Sequence, residues 1–315
     1  MLLFLLLLMA GAGGLGRAQT PAAAPSEAPA TPQAEAQPPP LPEGYAGTET
    51  CGLCHQDIAQ AFRRNPHFAV DNGRSRNVHA KEWASRACEA CHGSGKAHAE
   101  AGDGKNIFVF KGAAAARVNE QCLACHAGQE THHGRLFGAH NRNQLSCVSC
   151  HTVHHATQAK LLASAPNALC EGCHLSVRAE FTRPYRHKLQ ENAIECVDCH
   201  NPHGELPPRS LRRVAANELV CLKCHSDKRG PFPFEHAPVR MNPCSTCHEP
   251  HGSVNPRMLV RHDQSLLCLE CHTTSLATIG STPPAFHDLR SARFRNCTIC
   301  HSKIHGSFVS RELLR

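Results

Sequence analysis

Aromatic side chains are scarce in this 315-residue chain: they make up 5% of it, with a single Trp83 and two tyrosines. Two ordinary domains would be expected at this length, yet so few large apolar rings leave little with which to fill two cores. Nor does any apolar run reach the roughly 20 residues that cross a bilayer. The longest, in MLLFLLLLMA, is about nine. Dense clusters of one charge are missing as well. Lysines and arginines are spread along the whole chain, which argues against a nucleic-acid partner in spite of a formal net charge of +7. Finally, no cysteine is left over for a disulfide, a zinc knuckle or a nucleophile, because all 20 fall into one repeated motif.

That motif is C-x-x-C-H, and it occurs ten times. Its copies are Cys51, Cys54, His55; Cys88, Cys91, His92; Cys122, Cys125, His126; Cys147, Cys150, His151; Cys170, Cys173, His174; Cys196, Cys199, His200; Cys221, Cys224, His225; Cys244, Cys247, His248; Cys268, Cys271, His272; and Cys297, Cys300, His301. Two residues between the thiols set them a vinyl-to-vinyl distance apart, so both can add to one haem, and the adjacent imidazole reaches its iron from one face. A disulfide-stapled secreted domain would not place histidine after every second cysteine. Ten covalent haem c groups are therefore expected. That leaves about 31 residues per haem, so porphyrin faces must supply the apolar surface whose burial drives folding. The expected fold is a multihaem cytochrome c: elongated, mostly irregular loops and short α-helices wrapped around a chain of ten haems, with little or no β-sheet. Ten ferric haems with their propionates carry about −10, which would bring the holoprotein near −3.

The amino terminus reads as a secretory signal peptide over 1–18, with Gly16, Arg17 and Ala18 suiting cleavage after Ala18. It lacks the usual positive side chain before the apolar run, so a start a few residues upstream is expected. No cysteine follows until Cys51, which excludes a lipoprotein anchor. Residues 19–44 hold eight prolines between Pro21 and Pro42 and read as a disordered tether. Covalent haem attachment requires export, so both features place residues 45–315, the decahaem domain, in a bacterial periplasm.

Five repeats organise that domain, about 51–121, 122–169, 170–220, 221–267 and 268–315. Each contains an odd-numbered motif, then a lone histidine, then an even-numbered motif, then a trailing histidine. The lone ones are His67, His140, His187, His236 and His287; the trailing ones are His98, His154, His203, His251 and His305. Ten extra imidazoles match ten irons. In CVDCHNPHG, His203 lies about one helical turn from His200 and cannot swing to the opposite face of the same ring, so it must serve a different haem. The first unit fits least well, since His98 lies six residues past His92. His79, His132, His133, His155 and His262 are left over, for propionate-contacting or exposed roles, and whether His154 or His155 binds iron is open.

These residues resemble the MtrA/DmsE-type periplasmic decahaem cytochromes over essentially all of 45–315. The likeness lies in HGSGKAHAEAG after the second motif, CHNPHG at 199–204, RGPFPFEHAPV at 229–239, CHEPHGS at 247–253 and the closing CTICHSKIHGS. The Pro/Ala leader and the long first unit with its IFVFKG segment depart from the family. The resemblance implies an elongated electron-transfer protein and not an enzyme, with every haem bis-histidine ligated. It also implies docking inside an outer-membrane β-barrel porin and exchange of electrons with other periplasmic and extracellular cytochromes. Ten haems at on the order of 10 Å per step reach about 90 Å, against roughly 40–45 Å for a bilayer with headgroups. Irregular, charged backbone cannot face lipid, so a crossing requires a barrel and no direct lipid span is expected. Two alternatives remain: a soluble periplasmic electron shuttle, which would have no porin partner, and a multihaem reductase, which would need one iron with an open sixth position.

A chain whose core is its cofactor unfolds without it. Expressed without haem attachment, the polypeptide should give the far-ultraviolet circular dichroism of a disordered chain, and the haem-loaded form a helical one.

Overall fold

The structure, a computed structural model, describes residues 40–206, 208–212, 219–272, 287 and 292–314. The expected signal peptide and most of the expected tether lie outside the described residues. Leu41–Arg315 form one compact unit that contains all ten motifs.

Its secondary structure follows from the motif. In each copy the first cysteine and the histidine are four residues apart, so one helical turn puts them on the same face. The turn is closed by the histidine N–H donating to the first cysteine carbonyl, at 3.0 Å for His55 to Cys51, 2.9 Å for His174 to Cys170 and 2.9 Å for His200 to Cys196. Few of these turns propagate. The longest helix, Ala115–His126, has 12 residues, and the other α-helices run four to seven. Among the described residues there is no extended strand, and sheet pairing is limited to five isolated antiparallel bridges. Short helices in a mostly irregular chain with little sheet agree with the expectation from the sequence.

Three of those bridges lie inside repeats and share one design: His151 with Leu162, His200 with Leu211 and His248 with Leu259. Each joins an even-motif histidine to a residue 11 positions on. Two consecutive residues on the way back adopt left-handed φ: Lys160 and Leu161, Arg209 and Ser210, Arg257 and Met258, all between 50° and 60°. The other two bridges, Tyr185 with Ser253 and Phe234 with Ser307, join consecutive repeats. An asparagine three residues ahead of an odd motif bonds the start of the even motif that follows. Asn119 accepts from Cys147 N–H at 2.8 Å, and Asn167 from Cys196 N–H at 3.1 Å.

The apolar core is thin. Buried apolar side chains among the described residues are Phe62, Ala80, Ala87, Val118, Phe181, Leu189 and Val220. Large apolar groups beside the motifs, Leu53 and Leu175 among them, are exposed. Hydrophobic burial of that extent cannot hold 275 residues by itself, and polar contacts take over locally. The clearest is Glu89, inside the second motif and 1% exposed, whose carboxylate accepts from the backbone N–H of Ala46 at 2.9 Å, Gly47 at 3.0 Å and Gly95 at 2.7 Å. A charge is tolerated there because its oxygens are satisfied by three donors.

Glu89→Gln keeps the shape and offers only one acceptor oxygen to those donors, a loss of about 3 kcal/mol. Amide exchange at Gly47 and Gly95 should accelerate about 100-fold, which hydrogen-exchange mass spectrometry reads directly.

Candidate functional site

The ten motif histidines do not cluster with one another. Each faces one histidine from elsewhere, and the ring-centroid distances fall in a narrow band. His55 lies 6.3 Å from His98, His92 5.9 Å from His154, and His126 5.8 Å from His67. His151 lies 6.2 Å from His203, His174 6.0 Å from His140, and His200 6.1 Å from His251. His225 lies 6.1 Å from His187, His248 6.2 Å from His305, His272 6.1 Å from His236, and His301 6.0 Å from His287. Every lone and trailing histidine named from the sequence is used once.

The connections follow a rule. Each lone histidine of the first four repeats reaches forward to the odd motif of the next, as His140 does to His174. Each trailing histidine of the last four reaches back to the even motif of the one before, as His203 does to His151. Only the two ends differ, where His98 faces His55 and His287 faces His301, both within their own repeat. The unusual position of His98 thereby acquires a reason: it turns back onto its own repeat.

Hydrogen bonds fix the tautomers. The Nδ1 of each even-motif histidine donates to a backbone carbonyl downstream: His92 to Phe108 at 2.8 Å, His151 to Lys160 at 2.9 Å, His200 to Arg209 at 2.9 Å, His248 to Arg257 at 3.0 Å and His301 to Glu312 at 2.5 Å. A carbonyl can only accept, so the proton is on Nδ1 and the Nε2 lone pair is free. Three of these carbonyls belong to the left-handed residues of the internal bridges. Sequence reading missed this device; the recurrence of its acceptor nine residues past His151, His200 and His248 was the available signal. Partner histidines are held the same way: His98 by the Lys105 carbonyl at 3.1 Å, His140 by Pro202 at 2.9 Å, His187 by Pro250 at 2.6 Å and His67 by the Asn65 side chain at 3.1 Å. His251 instead donates to the Glu180 carboxylate at 2.8 Å. Pro202 and Pro250 directly precede His203 and His251, so one short segment orients two imidazoles of different pairs.

Burial favours the neutral ring. It lowers His67, His154, His200 and His236 from the ordinary histidine value, and holds His203 and His305 down to about 4. A neutral imidazole is the form that ligates metal.

The thiols form a continuous series. Within each repeat the first cysteines of the two motifs lie close enough to influence each other: Cys51 and Cys88, Cys122 and Cys147, Cys170 and Cys196, Cys221 and Cys244, and Cys268 and Cys297. Between repeats the second cysteine of the even motif comes within electrostatic reach of the next odd motif: Cys91 of Cys125, Cys150 of Cys170, Cys199 of Cys221 and Cys247 of Cys271. Successive motifs thus lie near one another along the chain.

Of the leftover histidines, His79, His133, His155 and His262 are exposed. His154, not His155, faces His92. His132 is half-buried and stacks on His203 at 4.2 Å, too close to admit a metal between the rings. The trailing histidines of the last three repeats are followed by Gly204, Gly252 and Gly306. At Gly204, with φ 114°, an added Cβ would sit 2.6 Å from the Gly134 carbonyl oxygen and 2.8 Å from the Gly138 Cα, so only glycine lets His203 come in.

Haem fits this donor set. Two imidazoles on opposite faces of one iron, each with a bond of about 2 Å, place their ring centres about 6 Å apart. Among the described residues no group of three or more His, Cys, Asp or Glu could hold a bare ion. A model of the doubled CXXCH motif matches residues 139–179, 187–230 and 236–276. Each match contains a lone histidine and the odd-motif histidine it faces, so the matched frame straddles the repeats defined above. The chain is 35% identical over 272 residues to the multihaem cytochrome MtrA of Shewanella baltica, covering 83% of this chain and 78% of that protein. It belongs to the MtrA-type multihaem cytochromes. Like them it is an electron-transfer protein with covalent haem c, not an enzyme. A more distant likeness, 22% identity over 124 residues, links it to the cytochrome c-type protein NrfB of Escherichia coli O6:H1, covering 34% of this chain and 65% of that protein.

Gly204→Ala should lower stability by at least about 1–2 kcal/mol from its backbone conformation alone. Arg257→Gly, which relieves a left-handed residue while keeping its carbonyl, should leave stability unchanged or raise it. Denaturant midpoints of the two holoproteins compare them.

Proposed function

We propose that this chain is a decahaem cytochrome that passes electrons by haem-to-haem hopping between the periplasm and the cell exterior, seated in an outer-membrane β-barrel porin. The observation that carries this reading is the set of ten imidazole pairs, all between 5.8 and 6.3 Å. A bound haem supplies a one-electron iron couple; the rest is done by the chain. The cysteines of the ten motifs would hold the ten rings. The motif histidines would take one axial seat of each iron, and His98, His154, His67, His203, His140, His251, His187, His305, His236 and His287, in motif order, the other. With both seats filled by imidazole, no substrate can coordinate.

The order of the thiols supports movement along the file, since successive motifs lie near one another along the chain. Their proximity within each repeat brings the attached edges of two rings together. Carbonyls on Nδ1 hold the imidazoles in place, and fixed ligands keep reorganisation small when charge arrives.

A periplasmic location is supported by the signal-like amino terminus and by the need for export before haem attachment. No helix among the described residues is long and apolar enough to cross a membrane, and the irregular backbone with its many polar groups is unsuited to lipid. A protein-lined conduit meets that requirement. Periplasmic and extracellular cytochromes would give and take the electrons at its ends.

Electron paramagnetic resonance of the oxidised holoprotein tests the ligation: all ten irons should be low-spin. His251→Ala should convert one iron in ten to a high-spin signal and leave nine unchanged. For the conduit, a low-potential dye sealed in liposomes should be oxidised by an external acceptor only when cytochrome and porin are both present. Oxidation with the cytochrome alone, or none with both, would refute it.

A further inference from the structure

In the sixth ligand pair a carboxylate meets an imidazole. Glu180 ends the helix Leu175–Glu180, and its Oε2 accepts from His251 Nδ1 at 2.8 Å. In the same role, His67, His98, His140 and His187 donate to carbonyl oxygens, and the Nδ1 of His203 is buried without a hydrogen-bond partner among the described residues. Resting on the ligation proposed above, we propose that Glu180 is a positioning residue that sets the reduction potential of the sixth haem, making it the most reducing of the centres in the middle repeats.

A full negative charge on Nδ1–H draws the proton toward oxygen and pushes electron density onto Nε2. The more basic ligand favours ferric over ferrous iron, which lowers the potential. A carbonyl does the same more weakly, because it is a dipole and not a charge.

The charge is not spent elsewhere. Arg183, three residues on, is taken by Glu249 at 2.9 Å and by the Gly252 carbonyl at 2.8 Å. Arg186 pairs with Glu191 at 2.9 Å. Among the described residues His251 is the hydrogen-bond partner of the Glu180 carboxylate, and the two side chains are 30% and 35% exposed, so water screens the contact only in part.

The backbone builds this contact. A Cβ on Gly252 would lie 2.4 Å from the Glu180 carbonyl oxygen, so the glycine after His251 lets the end of the helix close on the imidazole. In the preceding repeat the place is taken differently. His132 lies six residues past His126, as Glu180 does past His174, and it also touches the trailing histidine of the next repeat, but by stacking on His203 at 4.2 Å. One position relative to the motif thus carries an imidazole ring against the fourth haem's ligand and a carboxylate against the sixth haem's.

Spectroelectrochemical titration of the whole haem-loaded protein tests this, with Glu180→Gln, Glu180→Asp and His251→Ala. The glutamine keeps the hydrogen bond and loses the charge. One component of the ten should move to higher potential, with a tenfold change in its reduction equilibrium, about 59 mV for one electron. It should be the component that leaves the low-spin set in His251→Ala. Glu180→Asp, which keeps the charge, should stay nearer the wild type. Titrations of Glu180→Gln and Glu180→Asp that superpose on the wild type, with every iron of both low-spin and one iron high-spin in His251→Ala, overturn the inference and leave the ligation standing. So does a shift that falls on a different component. A wild-type protein with a high-spin iron at this position refutes the ligation itself, and with it the basis of the inference.

Discussion

An imidazole that is covalently adjacent to a haem's two anchors can reach only one face of that ring. Everything distinctive in this chain follows from where the second imidazole comes from. A histidine in the same short motif is excluded by geometry, so on the proposed ligation the opposite face is supplied from elsewhere along the polypeptide. The repeats solve the problem by exchange: the three interior ones each send one imidazole forward and one back, and the outer two exchange on their inner side alone. On that ligation the exchange takes the place of a hydrophobic core in joining repeats, since so few apolar side chains are buried among the described residues.

A second layer of contacts makes the exchange definite. Carbonyls of left-handed residues hold three of the five even-motif rings, and the segments ending in Pro202 and Pro250 orient one imidazole through their carbonyls while presenting the next in sequence. Two ligand pairs are thereby tied to one piece of backbone, and Gly204 and Gly252 allow that backbone to approach. The cost of left-handed residues such as Arg209 and Arg257, of order 1–2 kcal/mol each, is offset by the bonds their carbonyls accept.

Much of this was legible in the residues. C-x-x-C-H is set by the cofactor, so its ten copies announce the anchors, and the recurring lone and trailing histidines were recognisable as a set because they keep step with the motifs. The argument that His203 must serve another haem needs only the pitch of a helix. What could not be read was the partner of each: forward and backward reach depend on how repeats pack, and sequence separation alone does not distinguish His174 from His126 as the mate of His140. The choice of His154 over its neighbour His155 was likewise decided by packing. Glu180 was invisible because a lone carboxylate at a helix end is ordinary until the imidazole it touches is known. The Pro/Ala-rich amino-terminal segment falls outside the described residues and stays a reading of composition.

The two ends of the exchange stand apart from its middle. His98 and His287 close on their own repeats, so the outermost members lend nothing outward, while every interior member both lends and borrows on each side. On the proposed ligation a middle repeat could be removed or duplicated whole and the lending would still balance, with two haems lost or gained. Cutting within a repeat would strand an imidazole on one side and bare an iron on the other. The reach of such a molecule is therefore quantised, adjustable by evolution or by design in steps of two centres, provided that the closing members stay at the extremities.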